Sequence, residues 1–462
     1  MALTISARRV LLHEHDNLVI RPARIHVLGS RITRVELTSE PGTLDFGERL
    51  ITPAFVNAHT HLALAFLRGV EASGARRNLV EDLYFAFESR LTPEDIRAFA
   101  RMGAYESLLA GVGLVWDHYY GGSAVAEALL DTGLCGVVAP TVQDLAGPDR
   151  DGSETALDIT LQLAASARHH AAGVFAALGP HATDTVSPAL LRRIGELADQ
   201  HELPIHMHVA QSYDELARVE QREGRTPLAL LAREGVLDRA PSVVLAHALF
   251  ATVQDLQALD PGRHTLVFCP SSQMQFGFPA PVPLWGELGV SWVVATDCAS
   301  SNDSMNLQKE LRLCHGAAST PVASGLDYAS FLESGEATYA REVWNSRSER
   351  NAAWAKHVTS ERLLERVWSR AGALHPAFRA GVIADGALAN VAVWDTDHPA
   401  FWPGLDLPRA LALSDTTQAL HAMIVGGRVL GEPGRLVQSV LGSDSYRESL
   451  REASGRLDAL LR

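Results

Sequence analysis

The sequence predicts an α/β fold: a (β/α)8 barrel of the TIM type with a small β-sandwich domain built from both chain ends. Through the middle of the chain, short runs rich in Val, Ala and Leu alternate with stretches of helical periodicity, which is typical of βα units around a parallel sheet. Eight such runs suggest closure into a barrel. The candidate strands are 51–58, 112–118, 135–143, 174–181, 203–210, 242–248, 265–270 and 291–297.

The helices between these strands have recognisable start signals. Thr92-Pro93 is followed by two acidic residues and an apolar-periodic run, which is the pattern of a cap residue with Pro at the first helical position. Thr226-Pro227 repeats the pattern before a run of Leu and Ala. We therefore expect helices that begin at Pro93 and Pro227.

Both ends of the chain have the texture of short antiparallel strands. Residues 4–50 alternate apolar and polar positions, with Gly29-Ser30 as a turn. The pattern returns at 390–394 and 422–425, the latter followed by Gly426-Gly427. Neither end has enough strands for a closed β-domain, so we predict that they pair. The predicted division is 1–50 with 381–440 for the composite β-domain, 51–380 for the barrel, and 441–462 for a C-terminal helix.

The composition excludes several classes of function. The chain has 462 residues, 47% of them hydrophobic, and a formal net charge of −14. Binding to a nucleic-acid backbone needs clustered Lys and Arg, and this sequence has no such cluster. Its most apolar window is far shorter than the roughly 20 residues that cross a bilayer. Because the 4 cysteines have no CxxC spacing, neither a disulfide framework nor a thiolate zinc site is indicated. We expect a cytoplasmic protein without membrane or nucleic-acid partners.

Polar residues of the metal-ligand type close the predicted strands. Active sites of such barrels lie at the C-terminal ends of the strands, where these side chains would meet. His59 and His61 are two apart on an extended segment, so both imidazoles point the same way. Together with His208 and Asp297 they predict a site for Zn, Fe, Co or Mn. The alternative, a set of unrelated core histidines, requires several independent coincidences. The strand-end residues are His59, His61, His181, His206, His208, His247 and Asp297.

At these residues the chain resembles the amidohydrolase superfamily. The resemblance is to the branch of nucleobase and S-adenosylhomocysteine-type deaminases, guanine deaminases and triazine chlorohydrolases, and it extends over nearly the whole chain in the family's order. It implies a (β/α)8 barrel with a sandwich from both ends. The segments that carry it are 52–62, Leu67-Arg68-Gly69, Gly179-Pro180-His181, 205–210, Ala246-His247, Cys269-Pro270-Ser271-Ser272, Ala295-Thr296-Asp297 and Ser301-Asn302-Asp303.

The resemblance also implies roles for single residues. One divalent ion, with zinc favoured, would be bound by His59, His61, His208 and Asp297, and it would make hydroxide available from bound water at neutral pH. Asp297 would accept the proton of that water, and His247 would orient the nucleophile and stabilise developing charge. The family often forms homodimers.

Further histidines and aromatic residues are expected around the substrate. His181 resembles the family's substrate-side histidine. His206 is either a partner of a metal ligand or a residue of the pocket floor, and the sequence leaves this open. His118, Tyr119 and Tyr120 follow the second strand as pocket lining on which a planar ligand would stack.

Gln211 departs from the family pattern. In the deaminases this position is a glutamate that shuttles a proton, whereas an amide cannot carry one at neutral pH. Three interpretations follow. The enzyme hydrolyses a chloro, thio or carbamoyl leaving group while Gln211 only orients it; or it deaminates with another proton carrier, for which Glu202, Asp117 and His118 are candidates; or it binds metal and ligand without turnover.

Two further segments have less specific patterns. Ser271, Ser272 and Gln273 resemble the family's Ser-Asn pair, although a turn that caps a helix is an equal interpretation. Residues 319–356 predict a helical excursion on the surface, with a lid or a dimer contact as the alternative. The predicted function is that of a mononuclear metal-dependent hydrolase that attacks a carbon of a small planar nitrogen-containing substrate, as a hydrolytic deaminase does.

Overall fold

A computed structural model describes residues 2–14, 17–70, 80–275, 280–317 and 326–462. It confirms an α/β fold with parallel sheets. Strands are numbered along the chain, and those of the parallel sheets lie in two groups. The first group is β6 (Phe55–Thr60), β7 (Val112–Tyr119), β8 (Cys135–Val142), β9 (Val174–Ala176) and β10 (Gly179–Pro180); the second is β11 (Ile205–Val209), β12 (Val243–His247), β13 (His264–Phe268) and β14 (Trp292–Val294).

The two parallel sheets meet at both of their edges. On one side, Leu178 and Ile205 form a parallel bridge, and the N–H of His206 donates to the carbonyl of Leu178 at 2.9 Å. On the other side, the N–H of Asp297 donates to the carbonyl of His59 at 3.1 Å. The strands therefore follow one another around a ring of the TIM-barrel type, and their C-terminal ends share one face.

Strands from both chain ends form a third, mixed sheet. Its strands are β1 (Ala2–Glu14), β2 (Asn17–Leu28), β3 (Arg31–Glu36), β4 (Leu44–Asp45), β5 (Leu50–Pro53), β15 (Val391–Trp394), β16 (Leu420–Val425) and β17 (Arg428–Leu430). Their order is β17-β16-β15-β5-β1-β2-β3, with β4 paired to β1. The strand β5 joins the two chain ends, because it pairs in parallel with β1 and antiparallel with β15.

The prediction of one continuous strand over 51–58 is wrong. The chain forms β5 in the mixed sheet and then β6 in the barrel. At the junction, the N–H of Ala54 donates to the carbonyl of Asn390 at 3.0 Å, whereas the N–H of Phe55 donates to the carbonyl of Gly111 at 2.9 Å. Adjacent residues thus bond to different sheets, which a single apolar run in the sequence does not show.

Helices connect the strands, and both predicted start signals are confirmed. Thr92 caps the helix that begins at Pro93 by accepting from the N–H of Asp95, and Thr226 caps the helix that begins at Pro227. The described α-helices are Phe85–Glu88, Pro93–Leu109, Gly122–Thr132, Ser153–Ala164, Ala167–Ala171, Pro188–His201, Tyr213–Glu223, Pro227–Arg233, Val236–Arg239, Val253–Gln257, Pro270–Gln275, Val282–Glu287, Ala299–Asn302, Leu307–Gly316, Leu326–Ser334, Ala337–Ala355, Ser360–Val367, Leu407–Leu413, Leu436–Leu441 and Asp444–Leu460.

Shorter helical turns complete the described elements. The turn Val80–Tyr84 is π-helical and leads into the helix Phe85–Glu88. The 3-10 turns are Leu62–Leu67, Ala371–Ala373, Pro399–Phe401 and Thr417–Ala419. None of the helices in the described ranges combines the length and the apolar character that a bilayer crossing requires.

The surface excursion and the terminal helix are both helical. Within 319–356, the described residues form two helices, Leu326–Ser334 and Ala337–Ala355, whose side chains are mostly exposed; residues 318–325 lie outside the described residues. The terminal helix Asp444–Leu460 packs on the helix Pro93–Leu109. There the hydroxyls of Tyr105 and Ser445 share a hydrogen bond of 2.9 Å.

Asn390 joins the mixed sheet to the barrel. Its side chain is 3% exposed. The Nδ2 group donates to the carbonyl of Gly113 in β7 at 3.0 Å, and Oδ1 accepts from the N–H of Gly426 at 2.7 Å. One buried amide therefore satisfies backbone groups of both sheets, and losing it leaves them without partners.

We expect Asn390→Ala to lower the free energy of unfolding by about 2–4 kcal/mol, because two buried backbone groups lose their hydrogen bonds. The measurement is urea denaturation followed by circular dichroism. Gln438→Ala, which removes an exposed amide from a helix, is the control and should change the stability little. Equal effects of the two substitutions would contradict this account of Asn390.

Candidate functional site

The C-terminal ends of the parallel strands surround a pocket. Its base carries imidazoles and a carboxylate from four strand ends, and its wall is formed by the segment 80–88 and the end of β7. The lining residues are His61, Leu64, Val80, Tyr84, Phe85, Glu88, His118, Tyr119, Tyr120, Thr141, His181, His208, Gln211, His247, Asp297 and Cys298.

The predicted metal ligands lie together at the base of this pocket. One ring nitrogen each of His59, His61 and His208 lies within 4.8 Å of the others. In a second group, one ring nitrogen each of His59 and His247 and a carboxylate oxygen of Asp297 lie within the same distance of one another. The Nε2 atoms of His61 and His208 are 3.3 Å apart. Asp297 Oδ1 is 3.4 Å from Nε2 of His61 and 3.7 Å from Nε2 of His59. The atoms that would bind an ion therefore point toward one another.

The other nitrogen of each imidazole is held by the protein. Nδ1 of His59 shares a hydrogen bond of 2.9 Å with Nε2 of His206. Nδ1 of His61 donates to the carbonyl of His118, and Nδ1 of His208 donates to the carbonyl of His181 at 3.0 Å. These bonds fix the ring orientations and leave the Nε2 atoms free, as is usual for imidazoles that bind metals.

The carboxylate of Asp297 is fixed in a similar way. Its Oδ2 accepts from the hydroxyl of Ser272 at 2.6 Å, and its Oδ1 accepts from the N–H of Cys298 at 2.8 Å. Nε2 of His247 lies 4.0 Å from Oδ2. Ser271, the neighbour of Ser272, instead donates to the carboxylate of Glu310 at 2.6 Å. The segment 271–272 thus holds two acidic groups.

The crowded histidines are neutral. Burial lowers the pKa of His59 well below its ordinary value, and the nearby imidazoles lower it further. The pKa of His208 is lowered for the same reasons. The Nε2 atom of His59 is buried and has no hydrogen-bond partner among the residues that the structure describes. A buried, neutral nitrogen without a partner fits a metal-ligand position, because a ligating imidazole must be unprotonated at that atom.

Strained backbone accompanies the strand ends. Ala210, His247 and Asp297 have φ values of 48°, 78° and 60°, in the left-handed region that non-glycine residues rarely adopt. Each lies at the point where a strand delivers a side chain to the pocket. Such strain persists where the surrounding structure over-determines the conformation, and it concentrates at functional sites.

The predicted substrate residues divide into two groups. His118, Tyr119, Tyr120, His181 and Gln211 line the pocket. His206 instead lies behind His59, with its Nε2 engaged there. The structure therefore favours the first of the two interpretations of His206, as a partner of a predicted ligand, over a direct contact with substrate.

Two of the three candidate proton carriers lie away from the pocket. Glu202 follows the helix Pro188–His201 and lines a separate cavity with His201 and His375. Asp117 is fully buried and accepts from the N–H of Leu62 at 2.6 Å. Neither Glu202 nor Asp117 is among the described residues that line the pocket, which disfavours both as carriers. The third, His118, faces the pocket.

Glu88 is a pocket residue that the sequence analysis missed. It is the last residue of the short helix Phe85–Glu88, and it is half-buried in the pocket wall. Burial raises the pKa of its carboxyl to about 8. The residue stands four positions before the helix cap Thr92, with no motif of its own, so no sequence signal separated it from an ordinary surface glutamate.

Comparisons with known proteins agree with this architecture. The model of the Amidohydrolase family matches residues 50–335. The 5-methylthioadenosine/S-adenosylhomocysteine deaminase of Thermococcus kodakarensis is 27% identical over 419 residues, which cover 90% of this chain and 91% of the relative.

Two solved structures share the fold. An adenosine deaminase from Xanthomonas campestris with bound zinc has a TM-score of 0.78 and 20% identity, covering 99% of this chain and 98% of that chain. An atrazine chlorohydrolase from Arthrobacter aurescens TC1, complexed with zinc, has a TM-score of 0.76 and 20% identity, covering 99% and 100%.

The chain belongs to the amidohydrolase family, because the family model covers more than half of its length. It is an enzyme, a hydrolase of the amidohydrolase type. The predicted family and class of enzyme are thereby confirmed.

The buried carboxyl of Asp117 should make the free energy of unfolding depend on pH. Burial raises its pKa to about 7 from an ordinary value of 3.8. Between these values the unfolded chain releases a proton that the folded chain keeps, so the free energy of unfolding falls as pH rises. We expect Asp117→Asn to lose this dependence, and its stability relative to the parent protein should increase from pH 4.5 to pH 7.5. The measurement is urea denaturation in that range, with chelator present; a constant difference would contradict the assignment.

Proposed function

We propose that this enzyme is a metal-dependent hydrolytic deaminase of a small, planar, nitrogen-containing heterocycle, with a purine nucleoside as the leading class. The observation that carries the proposal is the convergence of three imidazole nitrogens and one carboxylate. Each of these side chains is oriented by a hydrogen bond to a neighbouring protein group. The class of substrate is supported by the relative named above, a deaminase of adenosine-derived compounds.

The proposed ligands are His59, His61, His208 and Asp297, and the proposed ion is zinc. Their neutral imidazole and carboxylate donors suit a borderline metal, and three histidines with one aspartate leave a position for water. The buried Nε2 of His59, which lacks a hydrogen-bond partner within the described part of the chain, fits this assignment. When bound, such an ion supplies a water activated for attack at neutral pH.

The remaining polar groups at the base have proposed roles in moving protons and charge. Asp297 accepts the proton of the attacking water on the carboxylate that Ser272 and Cys298 orient. His247, whose Nε2 is 4.0 Å from that carboxylate, orients the attacking oxygen and stabilises negative charge that develops on the substituent of the attacked carbon.

The pocket wall is proposed to bind the ring system of the substrate. Tyr119 and Tyr120 form an edge-to-face pair with ring centroids 5.5 Å apart, which offers an aromatic surface to a planar ligand. His181, which contacts Phe85, and His118 complete this part of the pocket. These contacts select a flat substrate over an extended one.

Gln211 supports a second candidate function. Its amide lines the pocket where the deaminases carry a proton-shuttling glutamate, and an amide can orient a group but not carry its proton. His118 is a poor substitute, because both of its ring nitrogens are engaged, by Thr141 at 3.2 Å and by the carbonyl of Pro180 at 3.3 Å. Hydrolysis of a chloro, thio or carbamoyl group, which leaves with less protonation, is therefore the second candidate.

A metal-containing ligand binder without turnover is the third interpretation, now disfavoured by family membership.

We also propose the domain division 1–50 with 381–440, 51–380 and 441–462, in which the mixed sheet is one layer of the small composite domain. The central place of β5 in that sheet supports moving the first boundary to about residue 53. A homodimer and a cytoplasmic location stay predictions, based on the family resemblance and on the composition.

The proposed metal site can be tested through the zinc content of the protein. We expect the purified protein, reconstituted with zinc and desalted, to retain about one zinc per chain by elemental analysis, and His208→Ala to retain less than about a tenth of that. His201→Ala, which removes an exposed histidine outside the pocket, is the control and should retain the parent content. A reconstituted parent protein without metal would reject the site.

Gln211→Glu tests the choice between the two candidate functions. General acid–base help contributes roughly 10²–10⁴-fold, so we expect this substitution to raise deamination of amino-substituted pyrimidines, purines or triazines by about 100-fold. The panel includes the matching chloro and thio compounds, and Gln211→Met controls for loss of the amide. If the parent enzyme hydrolyses only chloro or thio compounds, the second candidate function holds. If Gln211→Glu leaves deamination unchanged throughout the panel, the proposed role of this position is wrong.

A further inference from the structure

The helix Tyr213–Glu223, which begins two residues after Gln211, carries a row of charged side chains on one face. Ser212 caps it by accepting from the N–H of Glu215 at 3.1 Å. Glu215, Arg218 and Arg222 follow at helical spacing, so their side chains lie along the same face. All three reach polypeptide segments that border the pocket.

Glu215 connects two strand ends. Its side chain is fully buried. One carboxylate oxygen accepts from the N–H of Gln211 at 2.8 Å, and the other accepts from the N–H of Thr183 at 3.3 Å and from the Thr183 hydroxyl. Thr183 is two residues after His181. The carboxylate therefore fixes the backbone at Gln211 relative to the loop that carries His181.

Arg218 lies between two acidic side chains. Its Nη1 is 3.1 Å from Oδ2 of Asp184 and also contacts Glu81. Asp184 has only 8% of its side chain exposed, whereas that of Arg218 is 41% exposed. Without the guanidinium, two carboxylates would face each other across this junction, and like charges at such a distance repel.

Glu81 belongs to the pocket wall. The π-helical turn Val80–Tyr84 and the helix Phe85–Glu88 together supply four lining side chains, Val80, Tyr84, Phe85 and Glu88. Arg218 thus forms an ionic link between this wall and the loop at Asp184. Arg222, in contrast, donates to the carbonyls of Thr183 and Asp184.

We propose that Arg218 is a specificity-determining positioning residue: by neutralising Glu81 and Asp184 together, it holds the wall segment 80–88 against the loop after β10 and so sets the width of the pocket. The inference rests on the proposed function only in taking this pocket as the substrate site. Because Arg218 and Glu81 are both partly exposed, loss of their ion pair changes global stability little and acts on the local position of the wall.

The first experiment measures hydrogen–deuterium exchange by mass spectrometry on the full-length, zinc-loaded protein without substrate. In Arg218→Gln, amides of peptides that cover 80–88 should exchange about 5-fold faster than in the parent protein, because local opening is favoured. Arg218→Lys, which keeps the charge but not the guanidinium geometry, should be intermediate. Arg222→Gln is the matched control and should affect peptides around 183–185 but not 80–88.

A double-substitution cycle separates this link from general loosening. Glu81→Gln alone should increase exchange at 80–88 as well, and combining it with Arg218→Gln should add little, because both remove the same interaction. Additive effects, or unchanged exchange at 80–88 in Arg218→Gln, would overturn the proposal. A uniform increase across the whole chain would overturn it too.

The second experiment uses the substrate found by the heterocycle panel. Arg218→Gln should raise KM about 10-fold and change kcat less than about 2-fold, because the wall binds the substrate without contacting the reacting atoms. The ratio of the kcat/KM values for a free base and for its bulkier nucleoside should move closer to one. A fall in kcat at constant KM would overturn the proposal. If no compound on the panel is turned over, the proposed function fails, while the exchange experiment still decides the role of Arg218.

Discussion

The pocket depends on hydrogen bonds made by the far side of each imidazole. His59, His61 and His208 bond through Nδ1 to His206 or to a backbone carbonyl, so their Nε2 atoms have a single direction left in which to point. Two of these partners, His118 and His206, are on strands β7 and β11, and the third, His181, directly follows β10, so the orientation of each ring is set at the strand ends. A cation would find its donors already arranged, at little cost in side-chain entropy.

Such an arrangement is unfavourable without a cation. Neutral imidazoles and a carboxylate are packed where water is largely excluded, and the described ranges offer one ring nitrogen of His59 no hydrogen-bond partner. Buried polar groups without partners destabilise a fold. The left-handed backbone at His247 and Asp297 adds strain at the same place. The rest of the barrel must therefore supply the stability, and its continuous apolar core around Trp116 does so.

The sequence predicts the base of the pocket well and its wall poorly, and the reason is geometric. Parallel strands bring their C-terminal ends to one face, so polar residues such as His208 and Asp297 can be placed together from strand order alone. Glu88 and Arg218 belong to helices whose position depends on tertiary contacts, and neither has a local motif. The bond from Ser272 to Asp297 and the division of 51–58 into two strands likewise depend on partners far along the chain.

The mixed sheet has a consequence for synthesis on the ribosome. β5 pairs on one side with β1, which is made early, and on the other with β15, more than 330 residues later. Until the C-terminal strands emerge, β5 is an open sheet edge that is rich in apolar residues, and such edges promote association between chains. The nascent polypeptide must therefore form its barrel strands while this edge is still uncovered, which makes a translational pause before β15, or a truncation that removes β15, a hazard for aggregation.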